Sequence, residues 1–366
     1  MLAFFRRETV LTLSLLLAAL SMLLVAPDAS YAAYVDWDVL ALLFSLMAVV
    51  AGLKRCGVFE RLSRTLARSA RNLRRLTLLL AFSCFFSSML ITNDVALLTL
   101  VPLTAALLAG QPGPLLYAVS LETIAANLGS MATPIGNPQN LYLYAHYGMA
   151  AGDFVRATLP LTAASLLLVA LACLPIRPAP LTAPAKVQAN EPAVPAWRPA
   201  LYGLQFLCCL LAVFKLLPKL ACFALVLGSL LVFDRRALRQ VDYALLGTFL
   251  CFFVFVGNLG RIDSVRQLLT DVVRGQELEA GLLASQVVSN VPAALMLSGF
   301  TEDATALMRG VDIGGLGTLI ASLASLISFK LYVKTPGART GRYLAVFTGM
   351  NLVFLAILYA LAKCGL

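Results

Sequence analysis

Charge is scarce in this sequence. Only 13% of its 366 residues are Asp, Glu, Lys or Arg, about half the usual share in soluble domains, so a soluble globular fold is excluded. The single histidine, His146, rules out a multi-histidine metal centre. Cysteines occur at 56, 84, 173, 208, 209, 222, 251 and 364 and form no Cys-x-x-Cys pair. They are small buried hydrophobes, not a zinc site or a disulfide framework. His-Glu-x-x-His and Gly-x-Ser-x-Gly are absent, which argues against a membrane-embedded hydrolase. A phosphate-binding loop is missing too, so ATP does not drive the protein directly and no cofactor is expected. The net charge of +10 comes without a basic patch interleaved with aromatics, which speaks against nucleic-acid binding.

What is present is apolar sequence, 60% of the chain, enough for about ten to eleven membrane segments. The fold class expected is all-α integral membrane. Continuous spans are read at about 9–26, 38–53, 155–175, 199–214, 218–233, 243–260 and 343–362. Interrupted segments are read at about 76–109, 113–148, 280–300 and 310–330. Arg6 and Arg7 before the first apolar run and Ala29-Ser30-Tyr31-Ala32 after it resemble a signal peptide. The run is long for that purpose and reads as an uncleaved span.

Basic residues set the orientation. Lys54 to Arg75 carries eight basic residues against the single acid Glu60, an amphipathic stretch for the cytoplasmic surface and its anionic lipid headgroups. Arg235, Arg236, Arg239, Lys330, Lys334, Arg339 and Arg342 return to that side, which puts the N-terminus in the cytoplasm. The domain reading follows: 1–35, an N-terminal span and outer loop; 36–175, a first repeat; 176–198, a cytoplasmic linker; 199–366, a second repeat with its preceding spans. Each half runs through an opening span, an amphipathic stretch, a polar-tipped hairpin, a broken span and a closing span. The second half runs in inverted orientation, the plan of many secondary transporters.

The two halves also share short polar interruptions. Thr92-Asn93-Asp94 matches Ser289-Asn290-Val291, and Gly129, Thr133 and Ile135 recur as Gly314, Thr318 and Ile320. Irregular polar backbone at membrane depth is tolerated where it is buried or lines a cavity. The arms of the first hairpin are read as about 15 residues each, about 22 Å of helix, short of a bilayer core, hence re-entrant. Asn93 or Thr92, and Ser289 or Asn290, are placed to cap the returning helices. Thr133 before Pro134, and Asn137 before Pro138, repeat the cap-then-proline pattern. Half-helix N-termini would hold an anion, and unwound carbonyls with Asn, Ser and Thr oxygens a sodium ion. The candidate substrate- and ion-binding set is Thr92, Asn93, Asp94, Asn127, Gly129, Thr133, Pro134, Asn137, Ser289, Asn290, Asp312, Gly314, Gly317 and Thr318. Asp94, Glu122 and Asp312 are the intramembrane acids and so the candidates for proton coupling. Asp312 is read as opening the second broken span, and Glu122 as a carrier if it faces the cavity. His146 with Tyr142, Tyr144 and Tyr147 is read as an interfacial aromatic belt.

Ile91-Thr92-Asn93-Asp94-Val95-Ala96-Leu97 with Ala132-Thr133-Pro134-Ile135-Gly136-Asn137-Pro138-Gln139-Asn140 resembles the ion transporter superfamily. That group includes arsenite-efflux permeases, NhaD-type sodium/proton antiporters, and citrate and dicarboxylate transporters. The resemblance implies hairpins entering from opposite faces, substrate and coupling ions held between their tips and the broken spans, and a homodimer with elevator-type motion. In the dicarboxylate branch both tips read Ser-Asn-Thr. The acid at the first tip here, and Val291 at the second, argue against a dicarboxylate and a two-sodium scheme. The function expected is a secondary active transporter of a small anion or oxyacid coupled to H+ or Na+ in a bacterial inner membrane. The alternative is a Na+/H+ antiporter.

Overall fold

A computed structural model describes residues 8–58, 61, 65, 69–180 and 194–365. Arg6 and Arg7, the central part of the amphipathic stretch with Glu60, Arg64 and Arg68, and linker residues 181–193 with Lys186 lie outside the described residues.

The described chain is helical, with the helices starting where short polar side chains can cap them. Helix α1 is Thr9–Leu24, α2 is Trp37–Arg55, α3 is Leu73–Ile91 and α4 is Asn93–Leu107. Helices α5, Pro112–Ser130, and α6, Pro138–His146, are separated by an unwound break, and α7 is Ala151–Ala172. Then come α8, Trp197–Val213, α9, Lys219–Phe233, α10, Tyr243–Gly260, and α11, Asp263–Val273. The last group is α12, Glu277–Val288, α13, Asn290–Leu297, α14, Ala304–Gly314, α15, Leu323–Val333, and α16, Thr340–Lys363. Asp36 accepts from Val39 N at 2.9 Å, Asn72 from Arg75 N at 2.9 Å and Asp242 from Leu245 N at 2.9 Å. Each bond satisfies a donor that a helix start leaves orphaned. Helices α2, α3, α7, α10 and α16 are long and apolar enough to cross a membrane.

Large apolar side chains such as Leu23, Leu167, Leu216 and Val232 point outward, while Glu122, Asn127, Asn140 and Asp312 are buried. Lipid is as apolar as leucine, so nothing drives those side chains inward. Polar groups, by contrast, need partners inside the bundle. This is an all-α integral membrane protein.

Ion pairs mark the two ends of the bundle. At one, Arg55 grips Asp234 at 2.8 Å and Tyr202 donates to the same carboxylate at 2.8 Å. Burial works against the Asp234 charge, but the Arg55 and Tyr202 bonds outweigh it and hold the carboxyl below its ordinary range. At the other end Lys219 lies 3.7 Å from Asp38, and Arg261 lies 2.8 Å from Asp28. Lys215 donates to Gly148 O at 2.9 Å, which ties the start of α7 to the Asp38 end. The far end of α7 therefore lies at the Arg55 end. There Leu73 N donates to Ala179 O at 2.9 Å and Arg74 to Ile176 O at 2.8 Å, so the base of the α3/α4 hairpin sits at the Arg55 end. Tyr147 donates to Thr301 O at 2.9 Å, which puts the base of the α12/α13 hairpin at the Asp38 end.

Three expectations are corrected. Helix α3 has 19 residues, not about 15, because Asn72 caps it before Arg74 and Arg75. Asp312 does not open the second broken span: α14 begins at Ala304 behind the Asp303 cap, so Asp312 lies in its last turn. Tyr142 and Tyr144 are buried, with Tyr142 bonded to Ser298 at 2.8 Å and stacked on His146 at 5.1 Å. Tyr142 and Tyr144 therefore face inward, Tyr142 joining the second half, while His146 stays exposed at the end of the helix, so these residues and Tyr147 do not form an aromatic belt.

Candidate functional site

Each hairpin turns on one residue in a strained backbone. Thr92 has φ 69°, ψ 150° and Ser289 has φ 80°, ψ 152°, a region nearly reserved for glycine. The chain reverses there without a loop, and the next residue, Asn93 or Asn290, begins the returning helix. Asn93 accepts from Asp94 N at 3.0 Å and Asn290 from Val291 N at 2.9 Å. Their backbone N–H groups point to the breaks, Asn93 N to Gly136 O at 3.2 Å and Asn290 N to Ala321 O at 2.9 Å.

The breaks are seated on the hairpin arms in matching ways. Thr133 donates to Met89 O at 2.5 Å, and Thr318 to Gln286 O at 3.4 Å. Gly129 packs on the arm so closely that a Cβ would stand 2.1 Å from Phe85 O; at Gly314 it would stand 2.8 Å from Ser285. Gly317, at φ +104°, uses the left-handed conformation that glycine permits. Pro134 follows Thr133 in the first break, where Asn137, not Thr133, does the capping: its Oδ1 accepts from Asn140 N at 2.8 Å.

The halves then exchange partners. Asn127, near the end of α5, accepts from Asn93 Nδ2 at 2.9 Å and from Ser322 Oγ at 3.1 Å, and donates to Ser325 Oγ at 3.4 Å. Asp312, near the end of α14, accepts from Asn137 Nδ2 at 3.2 Å and Asn140 Nδ2 at 2.9 Å. One constant shift in residue number carries Asn127 onto Asp312, Asn137 onto Ser322 and Asn140 onto Ser325. Each half therefore ends its first half-helix with a polar side chain that reaches the restart of the other half's helix.

The three acids are not gathered. Asp94 and Thr92 line a cavity of about 700 Å³ whose wall also carries Asp242, Glu8, Lys54 and Arg55. A smaller cavity of about 90 Å³ reaches Ser289 and shares Glu8 and Asp242 with the first. Both tips are thus reached from the Arg55 end. Asp312 is buried in the crossed network. Glu122 lies outside both cavities, fully buried, with one carboxylate oxygen against the Thr104 hydroxyl.

Gln286, Asn140, Ser322 and Ser325 are not among the sequence candidates, although Asn140 closes the run that carries the family resemblance. Gln286 accepts from Thr318 N at 3.0 Å and donates to Gly314 O at 2.8 Å and Leu316 O at 2.9 Å, holding the second break open. Extending the match of the two tips back along their arms would have flagged it, since Met89 occupies its place in the first half. Ser322, Ser325 and Ser328 share one face of α15 at helical spacing.

Paired hairpins and broken helices, exchanging polar contacts inside an apolar bundle, define a multi-pass membrane transporter. A model of the citrate transporter family matches residues 1–321, and the chain belongs to that family. It is 31% identical to the inner membrane protein YbiR of Escherichia coli, over 82% of each chain. A Methanocaldococcus jannaschii transporter, MJ0456, is 32% identical over 90% of each. The silicon efflux transporter LSI3 of rice is 34% identical over 41% of this chain and 31% of its own.

Proposed function

We propose that the protein is a secondary active transporter that carries a small, uncharged or weakly acidic oxyacid, coupled to H+ or Na+. The observation that carries this reading is the position of Asp94. It stands in the first turn of α4 and lines the larger cavity. A helix N-terminus there would otherwise offer its partial positive charge to an anion; the Asp94 carboxylate already complements it. Asp242 and Glu8 add negative charge to the same wall, against the single lysine Lys54, while Arg55 is held by Asp234. A tricarboxylate would meet repulsion at this tip, whereas a polyhydroxylated neutral acid could donate to Asp94 and bond Thr92. The rice relative named for silicon efflux supports that class, although the family carries the name of citrate.

In this reading the halves are inverted repeats whose hairpins enter the bilayer from opposite faces, with the N-terminus and the Arg55 end in the cytoplasm of an inner membrane. Access to both tips from that end then describes an inward-open state. Asp94 and Asp312 are the residues for the coupling ion, and a homodimer is the working assembly. A Na+/H+ antiporter is the second reading, favoured by the same two acids.

The test is uptake into proteoliposomes under imposed Na+ or H+ gradients, with arsenite, silicic acid and citrate as solutes. Accumulation of an oxyacid but not citrate supports the first reading. Citrate accumulation overturns the substrate class, and Na+-driven proton movement without any solute selects the antiporter.

A further inference from the structure

A fully buried carboxyl lies away from the site. Glu122 sits on α5 between α3 and α4, with none of its surface exposed. One of its oxygens contacts Thr104 on α4; the other, Oε2, is buried with no partner. None of the ion pairs among the described residues involves it. The titratable groups near it are Cys84 from α3 and Tyr343 from α16, with Tyr332 of α15 stacked on Tyr343 at 4.5 Å. All three are neutral acids that offer no positive charge. The other acids on helices touching α5 are Asp94 of α4, at the hairpin tip, Asp153 of α7, paired with Arg156, and Asp312 of α14, whose carboxylate is engaged by Asn137 and Asn140. Helix α7 and the rest of α4 present apolar and hydroxyl side chains to this region.

A carboxylate left there with a single hydroxyl for company would cost several kcal/mol. In the neutral acid one proton is shared between the carboxyl oxygen and Thr104 Oγ, and the buried oxygen left without a partner carries no charge. We propose that Glu122 is a proton-binding site of the transporter, loaded as the neutral acid in this state, and that it releases its proton when α4 parts from α5.

The geometry ties that event to transport. Thr104 and Glu122 close the same α4–α5 interface that Asn93 and Asn127 close at the tip. Glu122 stands five residues before Asn127, about 7.5 Å along α5. A charged Glu122 cannot remain in the closed interface, so the hairpin arm has to move to let water reach it. Loading the proton permits the arm to seat, and seating the arm brings Asn93 to Asn127. The step forms one O–H bond and breaks one, with water from the opened side as the proton's source and acceptor. This inference rests on the transport reading above, yet its first measurement does not.

Infrared difference spectroscopy of the full-length protein in lipid, wild type against Glu122→Gln, reads the side-chain protonation directly. The expected result is a carboxylic acid C=O band at neutral pH that vanishes in the variant and shifts to higher frequency in Thr104→Val, which removes its hydrogen-bond partner. The glutamine keeps the size and the Thr104 contact, so the variant should fold. In proteoliposomes holding a pH dye, solute-driven proton movement should fall tenfold or more in Glu122→Gln, while the stabilising effect of the transported oxyacid on thermal unfolding is retained. Absence of an acid band that differs between the two proteins overturns the proposal, as does proton movement equal to wild type. If the wild type moves none of the solutes, the transport reading fails and the infrared result alone decides Glu122.

Discussion

The two halves share a frame and differ in where they put charge. Thr92 and Ser289 hold the same strained backbone, Asn93 and Asn290 make matching bonds to backbone groups, and Gly129 and Gly314 both pack closely on a hairpin arm. Against that frame, Asp94 faces Val291, Asn127 faces Asp312 and Met89 faces Gln286. At the site each half thus carries one acid, the first at its hairpin tip and the second at its break. The first acid lines a cavity and can meet solute, while the second is enclosed by amides from the opposite half. The duplicated positions build the geometry, and the unmatched ones divide the chemistry. The second break is fixed by the Gln286 side chain; the first has no such clamp.

The largest effect should come from moving the buried acid. Asp312→Asn keeps the size but removes the charge that Asn137 and Asn140 surround. Loss of about 1–3 kcal/mol of hydrogen bonding at the site corresponds to roughly 5- to 150-fold in transport rate. Adding Asn127→Asp returns an acid to the equivalent place in the other half. Partial recovery of ion-dependent uptake in the double variant would show that the two places are interchangeable; no recovery would show that the halves have diverged in role.

Next in size is the close packing. Gly129→Ala puts a Cβ 2.1 Å from the Phe85 backbone oxygen, whereas at Gly314 the nearest atoms are Ser285 Cβ and Oγ at 2.8 Å and Leu282 Cα at 2.9 Å. The overlap at Gly129 is deeper by about 0.7 Å and falls on a carbonyl held in its helix, so Gly129→Ala should destabilise more, by about 1–3 kcal/mol or beyond. Thermal unfolding in detergent ranks the pair. Replacing Gln286 with the Met of the first half removes three bonds to the unwound backbone, worth about 1–3 kcal/mol. Hydrogen exchange should rise over 314–318 and stay unchanged over 129–136.

The smallest effect concerns the strained tips. Thr92→Gly and Ser289→Gly relieve a conformation that costs of order 1–3 kcal/mol, partly offset by the greater freedom of glycine in the unfolded chain. Thermal stability should hold or rise slightly in both. If only Thr92→Gly impairs transport, the Thr92 hydroxyl that lines the larger cavity acts on solute. If both impair it equally, the tips matter through their shape.

Much of this arrangement was legible in the sequence, because long apolar runs and short polar side chains obey local rules. The spans, the two tips and the Asn137 cap all follow from residues within a few positions of each other. The position of Asp312 was misread because Asp303, a cap, sits in a polar stretch that looked like loop. Glu122 could have been placed: at about 100° per residue, positions five apart on a helix point about 140° apart, so a side chain five residues before Asn127 faces away from the site. The exchange between Asn127 and Ser322, or Asp312 and Asn140, joins residues far apart in the chain and was not readable from either segment alone. Gln286 was missed because the tips were compared and their arms were not.

Solid-supported-membrane currents from the reconstituted protein, with Asn93→Ala/Asn290→Ala as the paired variant, test the central claim most directly. The account predicts solute-dependent currents or proton signals in the wild type that disappear when both tip asparagines are removed, in a protein that remains folded. Undiminished signals in the double variant would contradict a site built between the hairpin tips and the broken helices.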